Sequence, residues 1–325
     1  MIELVITKFF LFYHILYFPA TLLAFLIGLL SAFILNVRFN FHITPAKRKK
    51  ALFYFSLIST LSFSIQLFLR SSIQKYGYDM DISRFVIAGS FFMISYALHR
   101  RLSFREYKKV GVAIYADGVE DIKLIFNKIS NISDFIHIDI VDKSYNPNCK
   151  DVKAYRAEVV RAYWQNKKIE VHIMSKNPSL WLDDLLDYVD VIYVHPTMDE
   201  NLSEVIDKIN FSKVAAGIAL SVYEPLEIID SYIESKKIKY ILLLTIPQPG
   251  YSGQKFDPSA LPLLEKLNAH KNRSEFEICV DGGVNDSTVK FLNVESVVSG
   301  SYILGATNPI KNIMHLQTSG EYAQY

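Results

Sequence analysis

The chain has 325 residues, half of them hydrophobic, a formal net charge of +2 and only two cysteines. A chain of this length predicts two domains rather than one. The nearly balanced charge, with no dominant basic stripe in the C-terminal two-thirds, excludes a nucleic-acid-binding protein. Cys149 and Cys279 are too far apart for a zinc motif and too few for a disulfide framework, so reduced thiols facing the cytosol are expected.

Residues 1–105 carry long apolar runs. No Asp, Glu, Lys or Arg occurs in residues 9–36 or 51–69, and a bilayer-spanning helix needs about 20 largely apolar residues. A third, shorter run covers residues 85–98. The sequence therefore predicts an all-α transmembrane domain of three helices, or of four if residues 1–17 form an extra one. A signal peptide is a poor interpretation, because the first run is too long and no small-residue cleavage pattern follows it.

Basic residues set the predicted orientation of these helices. Arg38 and the run at residues 47–50 follow the first span, and Arg100, Arg101 and Arg105 follow the third. Basic residues near the ends of spans favour the cytoplasmic side of a membrane. We therefore expect an integral protein of the inner or plasma membrane whose C-terminal domain lies in the cytoplasm.

An internal repeat links the first and third spans. The segment LNVRFNF (residues 35–41) parallels LHRRLSF (residues 98–104), and each stands at the end of a span. The pattern resembles the GtrA-like membrane proteins, four-helix proteins implicated in moving polyprenyl-phosphate-linked sugars across bilayers. The resemblance implies a membrane lipid and a polyprenyl-phosphate-linked sugar as partners of residues 1–105. A simple membrane anchor is the alternative interpretation.

Apolar runs alternate with stretches of helical periodicity after residue 105. The predicted strands are 110–114, 135–139, 169–173, 189–194, 214–220, 240–245, 276–281 and 296–298. The predicted helices between them include 119–128, 155–165, 180–188, 202–208, 225–235 and 260–269. Eight strands that alternate with helices over about 215 residues predict a (β/α)8 barrel, or TIM barrel, of the α/β class. The predicted domains are thus a transmembrane domain over residues 1–105 and a barrel over residues 106–325.

Four polar residues close three of the predicted strands: His137, Asp139, His172 and Asp281. In such a barrel the C-terminal ends of the strands form the active-site face. Two imidazoles and two carboxylates suit a divalent transition metal. A pair of carboxylates on either side of a substrate carbon can also exchange protons with it. These residues predict a metal-assisted sugar-phosphate epimerase.

Several ordered motifs closely resemble the ribulose-phosphate 3-epimerase family over residues 110–304. They are HIDIVDKSYNPN (137–148), VHIM (171–174), GIAL (217–220), PGYSGQKF (249–256), VDGGV (280–284) and SGS (299–301). The resemblance implies an isomerase that inverts carbon 3 of a ketose phosphate, such as D-ribulose 5-phosphate or D-xylulose 5-phosphate, through an enediolate. It also implies one divalent cation (Zn, Fe, Mn or Co) and a small-molecule sugar phosphate as substrate.

The resemblance assigns roles to the four polar residues at the strand ends. All four are expected to hold the metal, while Asp139 and Asp281 also act as acid and base from opposite faces of the sugar. Met174 and Tyr145 are expected to cover the intermediate, with plain packing as the alternative.

Glycines next to three strand ends predict a phosphate site. In this fold, loops after the seventh and eighth strands commonly bind phosphate through backbone amides. The residues predicted to bind substrate or phosphate are Met174, Gly250, Tyr251, Ser252, Gly253, Gly282, Gly283, Gly300 and Ser301.

The chain departs from the family pattern at positions expected to face the sugar. Val112 stands where the family has Ser, Thr197 where it has Glu, and Ser221 and Val222 where it has Asn-Pro. These departures indicate retained chemistry with a shifted substrate. The alternative is a catalytically altered barrel that only binds a sugar phosphate, attached to a membrane domain that translocates a lipid-linked sugar. For the epimerase, the attached membrane domain indicates a role in polysaccharide precursor supply.

Overall fold

The structure is a computed structural model, which describes residues 9, 12–13, 16–40, 48–76, 80–103, 108–114, 120–149, 157–251 and 253–319. The chain divides into two compact units, Met1–Arg105 and Glu106–Tyr325.

Three α-helices form most of the described N-terminal unit: α1 (Tyr17–Leu35), α2 (Arg48–Gln74) and α3 (Met80–Leu98). Among the described residues, the segments Leu22–Phe39 and Arg48–Leu69 are long and apolar enough to cross a membrane. They overlap the first two predicted spans. The third predicted span lies in α3, where the continuous apolar stretch, Gly89–Leu98, is shorter. The extra helix considered for residues 1–17 falls mostly outside the described residues.

The two copies of the sequence repeat adopt the same uncommon conformation. Asn36–Asn40 and His99–Ser103 each form a π-helical turn directly after α1 and α3. Single π-helical turns are rare and occur frequently at functional sites. The repeat recognised in the sequence is therefore also a repeat of backbone structure.

A row of polar side chains lies between α2 and α3. Ser62 Oγ and Ser95 Oγ are 2.9 Å apart, and Ser59 Oγ lies 3.4 Å from His99 Nε2. Gln66 Nε2 donates a hydrogen bond of 3.2 Å to Ser62 Oγ, which lengthens the row. Contacts of this kind between membrane helices stabilise their packing by about 0.6 kcal/mol each. The row therefore joins α2 to α3 through polar rather than apolar contacts.

Eight parallel strands form a closed barrel in the C-terminal unit, with each strand next to its neighbour in sequence. They are β1 (Lys109–Ile114), β2 (Phe135–Val141), β3 (Lys168–Met174), β4 (Val191–Val194), β5 (Ala215–Leu220), β6 (Tyr240–Leu244), β7 (Glu277–Asp281) and β8 (Ser296–Ser299). The predicted (β/α)8 fold is thereby confirmed. Nearly all strand residues are buried, as expected for strands covered by helices on one side and packed against each other on the other.

Helices surround the barrel: α4 (Ile122–Ile129), α5 (Ala157–Tyr163), α6 (Ser179–Leu182), α7 (Leu202–Phe211), α8 (Glu227–Glu234), α9 (Ala260–Ala269), α10 (Ser301–Leu304) and α11 (Pro309–Thr318). The helix predicted at 180–188 is wrong in extent. After α6, Leu185 N donates to Leu182 O and Tyr188 N donates to Leu185 O. These two bonds span three residues, and Leu186 N donates across four residues to Leu182 O, so the segment continues as turns of mixed spacing rather than as a regular α-helix.

Two layers of apolar side chains fill the C-terminal unit. One apolar layer lies between the strands and the helices, and a second fills the barrel interior with Phe135, Tyr193, Leu242 and their neighbours. Gly217 on β5 makes room for this second layer, because a Cβ at that position would lie 2.5 Å from the Tyr193 ring. Tyr193 can therefore lie inside the barrel with its hydroxyl directed to a buried acid of β3.

Strand register brings the polar strand ends together. Asp139 of β2 is the register partner of His172 of β3, and Asp281 ends β7. Side chains alternate along a strand, so Glu170, His172 and Met174 of β3 share one face. All three are buried, which places two ionisable groups and a thioether along one side of the barrel interior.

Candidate active site and metal centre

The four polar residues predicted at strand ends meet at the C-terminal mouth of the barrel. One candidate ligand atom from each of His137, Asp139, His172 and Asp281 lies within 4.8 Å of the others. The carboxylate of Asp139 is central: its Oδ1 is 3.4 Å from His137 Nε2 and 3.3 Å from His172 Nδ1. We call these four residues the quartet.

The quartet fits a bound divalent cation. His137, Asp139 and His172 are buried, yet both ring nitrogens of His137, Oδ1 of Asp139 and Nδ1 of His172 make no hydrogen bond to the described residues. Buried polar atoms without partners cost free energy and are uncommon. A cation among them would satisfy His137 Nε2, Asp139 Oδ1 and His172 Nδ1, while His137 Nδ1 faces Glu170. Imidazole nitrogen together with carboxylate oxygen suits Zn, Fe, Mn or Co.

The two carboxylates of the quartet differ in their protonation. Burial favours the neutral acid at Asp139, but the adjacent imidazoles of His137 and His172 outweigh it and hold the pKa well below its usual range. At Asp281, burial and the negative charge of Asp139 raise the pKa to about 7. An ionised carboxylate and a carboxyl group that is half protonated near neutrality therefore face the same space.

A third buried acid, Glu170, lies beside the quartet. Its Oε2 is 3.9 Å from His137 Nδ1 and accepts a hydrogen bond of 3.2 Å from the Tyr193 hydroxyl. Its Oε1 is 2.7 Å from Lys168 Nζ. Burial lowers the pKa of His137, but Asp139 and Glu170 outweigh burial and raise this pKa to about 10. Glu170 therefore acts electrostatically on one imidazole of the quartet.

The other imidazole of the quartet has a histidine partner. His172 Nε2 is 2.9 Å from His195 Nε2, and both rings are buried. One nitrogen must donate and the other accept, so the contact fixes the orientation of His172 with its Nδ1 towards Asp139. Tyr145 packs against His195 with ring centroids 5.0 Å apart. A connected set of rings thus extends from the quartet towards the loop after β2.

A narrow cavity opens at the quartet. It is lined by Asp139, Val141, His172, Met174, Leu244, Ile246, Pro249, Gly250, Tyr251 and Asp281. Its wall consists of two acids and one imidazole among apolar side chains. Of the residues predicted to bind substrate, Met174, Gly250 and Tyr251 lie here. An apolar wall around few charged groups strengthens their interaction with a ligand.

A larger cavity of about 590 Å³ adjoins the first at Asp281, which borders both. The predicted phosphate-binding residues Gly282, Gly283, Gly300 and Ser301 all line this second cavity. Gly253 lines neither of these two cavities, although its neighbour Gln254 lines the second. Ser252 lies outside the described residues.

The loop after β7 approaches the loop after β6 very closely. Gly283 has φ +63°, and a Cβ there would lie 2.3 Å from Phe256 N, so glycine is required at this position. Thr245 adds a second contact between the loops by donating from its hydroxyl to Gly282 O at 2.6 Å. The backbone that lines the second cavity is therefore held in place before any ligand binds.

Sequence reasoning missed three polar residues near the mouth: Glu170, His195 and Glu224. A signal for Glu170 existed, since it precedes His172 by two positions and must share its face of the strand. His195 directly follows β4, and no motif in the sequence singles it out. Glu224 is in the loop after β5, and only closure of the barrel brings it to Thr197, whose hydroxyl lies 3.5 Å from Glu224 Oε1.

The fold and the quartet define a (β/α)8-barrel protein with a candidate metal centre at its mouth. The model of the Ribulose-phosphate 3 epimerase family matches residues 111–304, and that of the GtrA/DPMS transmembrane domain matches residues 1–104. The chain therefore belongs to the ribulose-phosphate 3-epimerase family, as the motifs predict. It is an isomerase and a membrane protein with an N-terminal GtrA/DPMS domain.

Curated relatives agree with this assignment. The ribulose-phosphate 3-epimerase of Bacillus subtilis is 28% identical over 210 residues, which cover 61% of this chain and 94% of that protein. The enzyme of the same name from Buchnera aphidicola subsp. Baizongia pistaciae is 31% identical over 192 residues, covering 56% and 79%. The cytoplasmic isoform from Oryza sativa subsp. japonica is 29% identical over 202 residues, covering 59% and 85%.

Proposed function

We propose that this epimerase inverts carbon 3 of a ketose phosphate, D-ribulose 5-phosphate/D-xylulose 5-phosphate or a close relative. In this proposal His137, Asp139, His172 and Asp281 hold one divalent cation, and Asp139 and Asp281 exchange the proton. The observation that carries the proposal is the presence of one ionised and one protonatable carboxyl group at the wall of one cavity. Family membership supports the class of substrate.

The protonation states of the two acids supply the proton exchange. Ionised Asp139 takes the proton from carbon 3, and the electron pair of the broken C–H bond moves towards the carbonyl at carbon 2 to give an enediolate. Asp281, protonated in part near pH 7, gives its proton to the opposite face of carbon 3, and the carbonyl forms again. The reverse reaction uses the same two groups with their roles exchanged.

A divalent cation bound by the quartet would supply positive charge next to the enediolate oxygens. The chain itself contributes positioning and exclusion of water. His195 holds His172 through their ring nitrogens, and Leu244 and Ile246 form an apolar wall beside the reacting carbon. Met174 lines the same cavity and is proposed to cover the sugar.

The second cavity is proposed to hold the phosphate through the backbone of Gly282, Gly283, Gly300 and Ser301. Because Asp281 borders both cavities, a sugar phosphate bound there would extend from the glycine loops across Asp281 to the quartet. Gly250, Tyr251, Ser252 and Gly253 stay proposed as further substrate-binding residues of the loop after β6.

The proposed cellular setting follows from the membrane domain over residues 1–105 and the barrel over residues 106–325. Basic residues after the spans, among them Arg38 and Arg100, support the proposal that the barrel faces the cytoplasm. The GtrA/DPMS match supports a membrane lipid and a polyprenyl-phosphate-linked sugar as partners. The enzyme would then serve the supply of polysaccharide precursors at the membrane surface.

Deuterium exchange tests the proposal. Full-length protein in detergent micelles is loaded with Zn, Fe, Mn or Co, and deuterium at carbon 3 is followed by NMR for a panel of ketose phosphates in D₂O. Asp281→Asn should slow exchange by about 10²- to 10⁴-fold while leaving affinity for inorganic phosphate within twofold. Asp183→Asn, at an exposed carboxylate, is the matched control. Exchange at the wild-type rate in Asp281→Asn, or none with any substrate in the wild type, contradicts the proposal.

A second candidate function makes translocation of a lipid-linked sugar the main activity and leaves the barrel as a sugar-phosphate-binding accessory. The polar row between α2 and α3 favours it. Full-length protein in vesicles should then flip a fluorescent polyprenyl-phosphate-linked sugar, and Ser95→Leu should abolish flipping. Ser64→Leu is the control, since Ser64 is exposed and its hydroxyl donates within α2 to Thr60 O. An absence of flipping by the wild-type protein contradicts this candidate.

A further inference from the structure

Two positions where this chain departs from the family pattern, Thr197 and Ser221, come together on one side of the barrel mouth. Thr197 follows β4, and Ser221 directly follows β5. Glu224 joins them: its Oε2 accepts a hydrogen bond from Ser221 N, and its Oε1 lies 3.5 Å from the Thr197 hydroxyl. Glu224 is half-buried, and burial raises the pKa of its carboxyl above the usual value.

Tyr145 connects this group to the quartet. Burial and the negative charge of Glu224 together raise the pKa of Tyr145 to about 12. The Tyr145 ring packs against His195, and His195 Nε2 is 2.9 Å from His172 Nε2. The rings of His195 and Tyr145 therefore extend from the quartet towards the side of the mouth where the charge of Glu224 acts on Tyr145.

The barrel topology fixes where this group lies relative to the phosphate cavity. The strands close in the order β1 to β8, so β4 and β5 stand across the mouth from β8 and β1. The glycine-lined cavity is built from the loops after β6, β7 and β8. A ligand whose phosphate lies in that cavity and whose third carbon lies over the quartet extends away from β7 and β8, towards the side of the mouth that holds β4.

We infer that Glu224, together with Thr197 and Tyr145, forms a subsite that binds the hydroxyl group on carbon 1 of a 2-ketose phosphate. This inference rests on the proposed function, because that function sets which end of the sugar points to Glu224. The carboxylate accepts a hydrogen bond from the hydroxyl at carbon 1. Thr197 and Ser221 hold the carboxylate in place. The subsite selects ketoses with a hydroxymethyl end over 1-deoxy ketoses.

A comparison of two substrates on matched variants tests the inference. The substrates are a ketose phosphate that the wild type epimerises and its 1-deoxy analogue. The variants of the full-length, metal-loaded protein are Glu224→Leu and Glu224→Gln. Glu227→Leu is the control, because Glu227 is an exposed glutamate three residues along the same segment. For each combination of variant and substrate, kcat/KM is measured by kinetics and affinity by calorimetry.

Loss of a hydrogen bond to a charged group weakens binding by about 10- to 100-fold. Glu224→Leu should lower kcat/KM and affinity by that factor for the hydroxylated substrate and by less than about twofold for the 1-deoxy analogue. Glu224→Gln keeps an acceptor oxygen, so its kcat/KM and affinity for the hydroxylated substrate should fall by less than those of Glu224→Leu. Glu227→Leu should change neither.

Equal losses on both substrates in Glu224→Leu overturn the inference, because they would mean that Glu224 only forms the turn after β5. A failure of the proposed function would give a different result, in which the wild type epimerises no ketose phosphate. Calorimetry then tests the subsite by itself. A wild-type preference for the hydroxylated ligand that disappears in Glu224→Leu supports the subsite. Absence of binding of both ligands overturns the subsite together with the proposed function.

Discussion

Glu170 and His137 form a buried ion-pair contact inside the barrel, with Glu170 Oε2 3.9 Å from His137 Nδ1. The same carboxylate pairs with Lys168 at 2.7 Å, which keeps it ionised: burial favours its neutral form, but His137 and Lys168 outweigh burial and lower its pKa. An ionised acid behind an imidazole orients the ring and makes it a better metal ligand.

Replacing Glu170 should therefore weaken metal binding without touching the quartet. Glu170→Gln is expected to lower the affinity for Zn by about 10- to 100-fold, and Glu170→Asp by less. Competition with a fluorescent chelator measures both values. Glu265→Gln, at an exposed position on α9, is the control. An affinity for Glu170→Gln within twofold of the wild type would show that the contact has no role in metal binding.

Metal binding should release more than one proton at neutral pH. In the metal-free protein His137 has a pKa of about 10 and Asp281 one of about 7, so both carry protons that a cation must displace. The affinity should rise about tenfold for each pH unit between 7 and 9, because one imidazole proton competes, and more steeply below 7. Calorimetry in two buffers of different ionisation enthalpy counts the protons. A release of zero protons at pH 7 would contradict these pKa values.

The same histidine makes the stability of the metal-free protein depend on pH. The pKa of His137 is raised above its ordinary value of 6.5 to about 10. Its protonated pairing with Asp139 therefore stabilises the fold fully below pH 6.5, and this stabilisation is lost as the pH rises through 10. The Tm of the metal-free full-length protein should fall across this window. His137→Leu should remove that part of the fall, and an identical pH profile in both proteins would exclude His137 as its source.

Two glycines offer a matched test of the phosphate loop. Gly283 and Gly253 both have positive φ, but a Cβ at Gly283 would lie 2.3 Å from Phe256 N, whereas a Cβ at Gly253 would meet nothing within 4 Å. Gly253→Ala should lower the free energy of unfolding by about 1–2 kcal/mol, from backbone strain alone. Gly283→Ala should lower the free energy of unfolding by more than this. It should also raise KM for the sugar phosphate, because the loop after β7 must move.

Thermal unfolding and steady-state kinetics of these two variants provide the readouts. Equal losses of stability with an unchanged KM would mean that the close approach at Gly283 does not shape the second cavity.

His195 should control the geometry of the metal centre through His172. His195→Leu removes the partner of His172 Nε2, so the ring can rotate away from Asp139. We expect kcat to fall by about 10-fold or more and the visible absorption of the Co-loaded protein to change, which reports on ligand geometry. His315→Leu, at an exposed position on α11, should leave both unchanged. An unaltered Co spectrum in His195→Leu would rule out the positioning role.

The quartet could be predicted from the sequence because each member closes an apolar run, and parallel strands bring their C-terminal ends to one face. Glu170 could not be assigned so readily. An acid two positions after Lys168 at the start of a strand is typical of a solvated position, and only the folded barrel shows Lys168 over the Tyr240 ring and Glu170 at the Tyr193 hydroxyl. Glu224 is harder still, since its partner Thr197 belongs to the preceding strand's loop.

The sequence also does not predict where the short helices end. Residues 180–188 have helical periodicity and Leu185 is buried, but the hydrogen bonds after Leu182 mix spans of three and four residues instead of continuing the α-helix. Periodicity records which side chains are buried. It does not distinguish an α-helix from successive tight turns that bury the same side chains.

Because Asp281 stands where the narrow cavity meets the glycine-lined one, the carboxyl group and the phosphate anchor have a fixed spacing. That spacing determines which carbon of a bound sugar phosphate would lie beside the carboxyl group. A ketose with one more carbon between its carbonyl and its phosphate would have to bend or present the neighbouring carbon to the acid. In the proposed function, the position of Asp281 between the two cavities would therefore set which carbon of the sugar reacts.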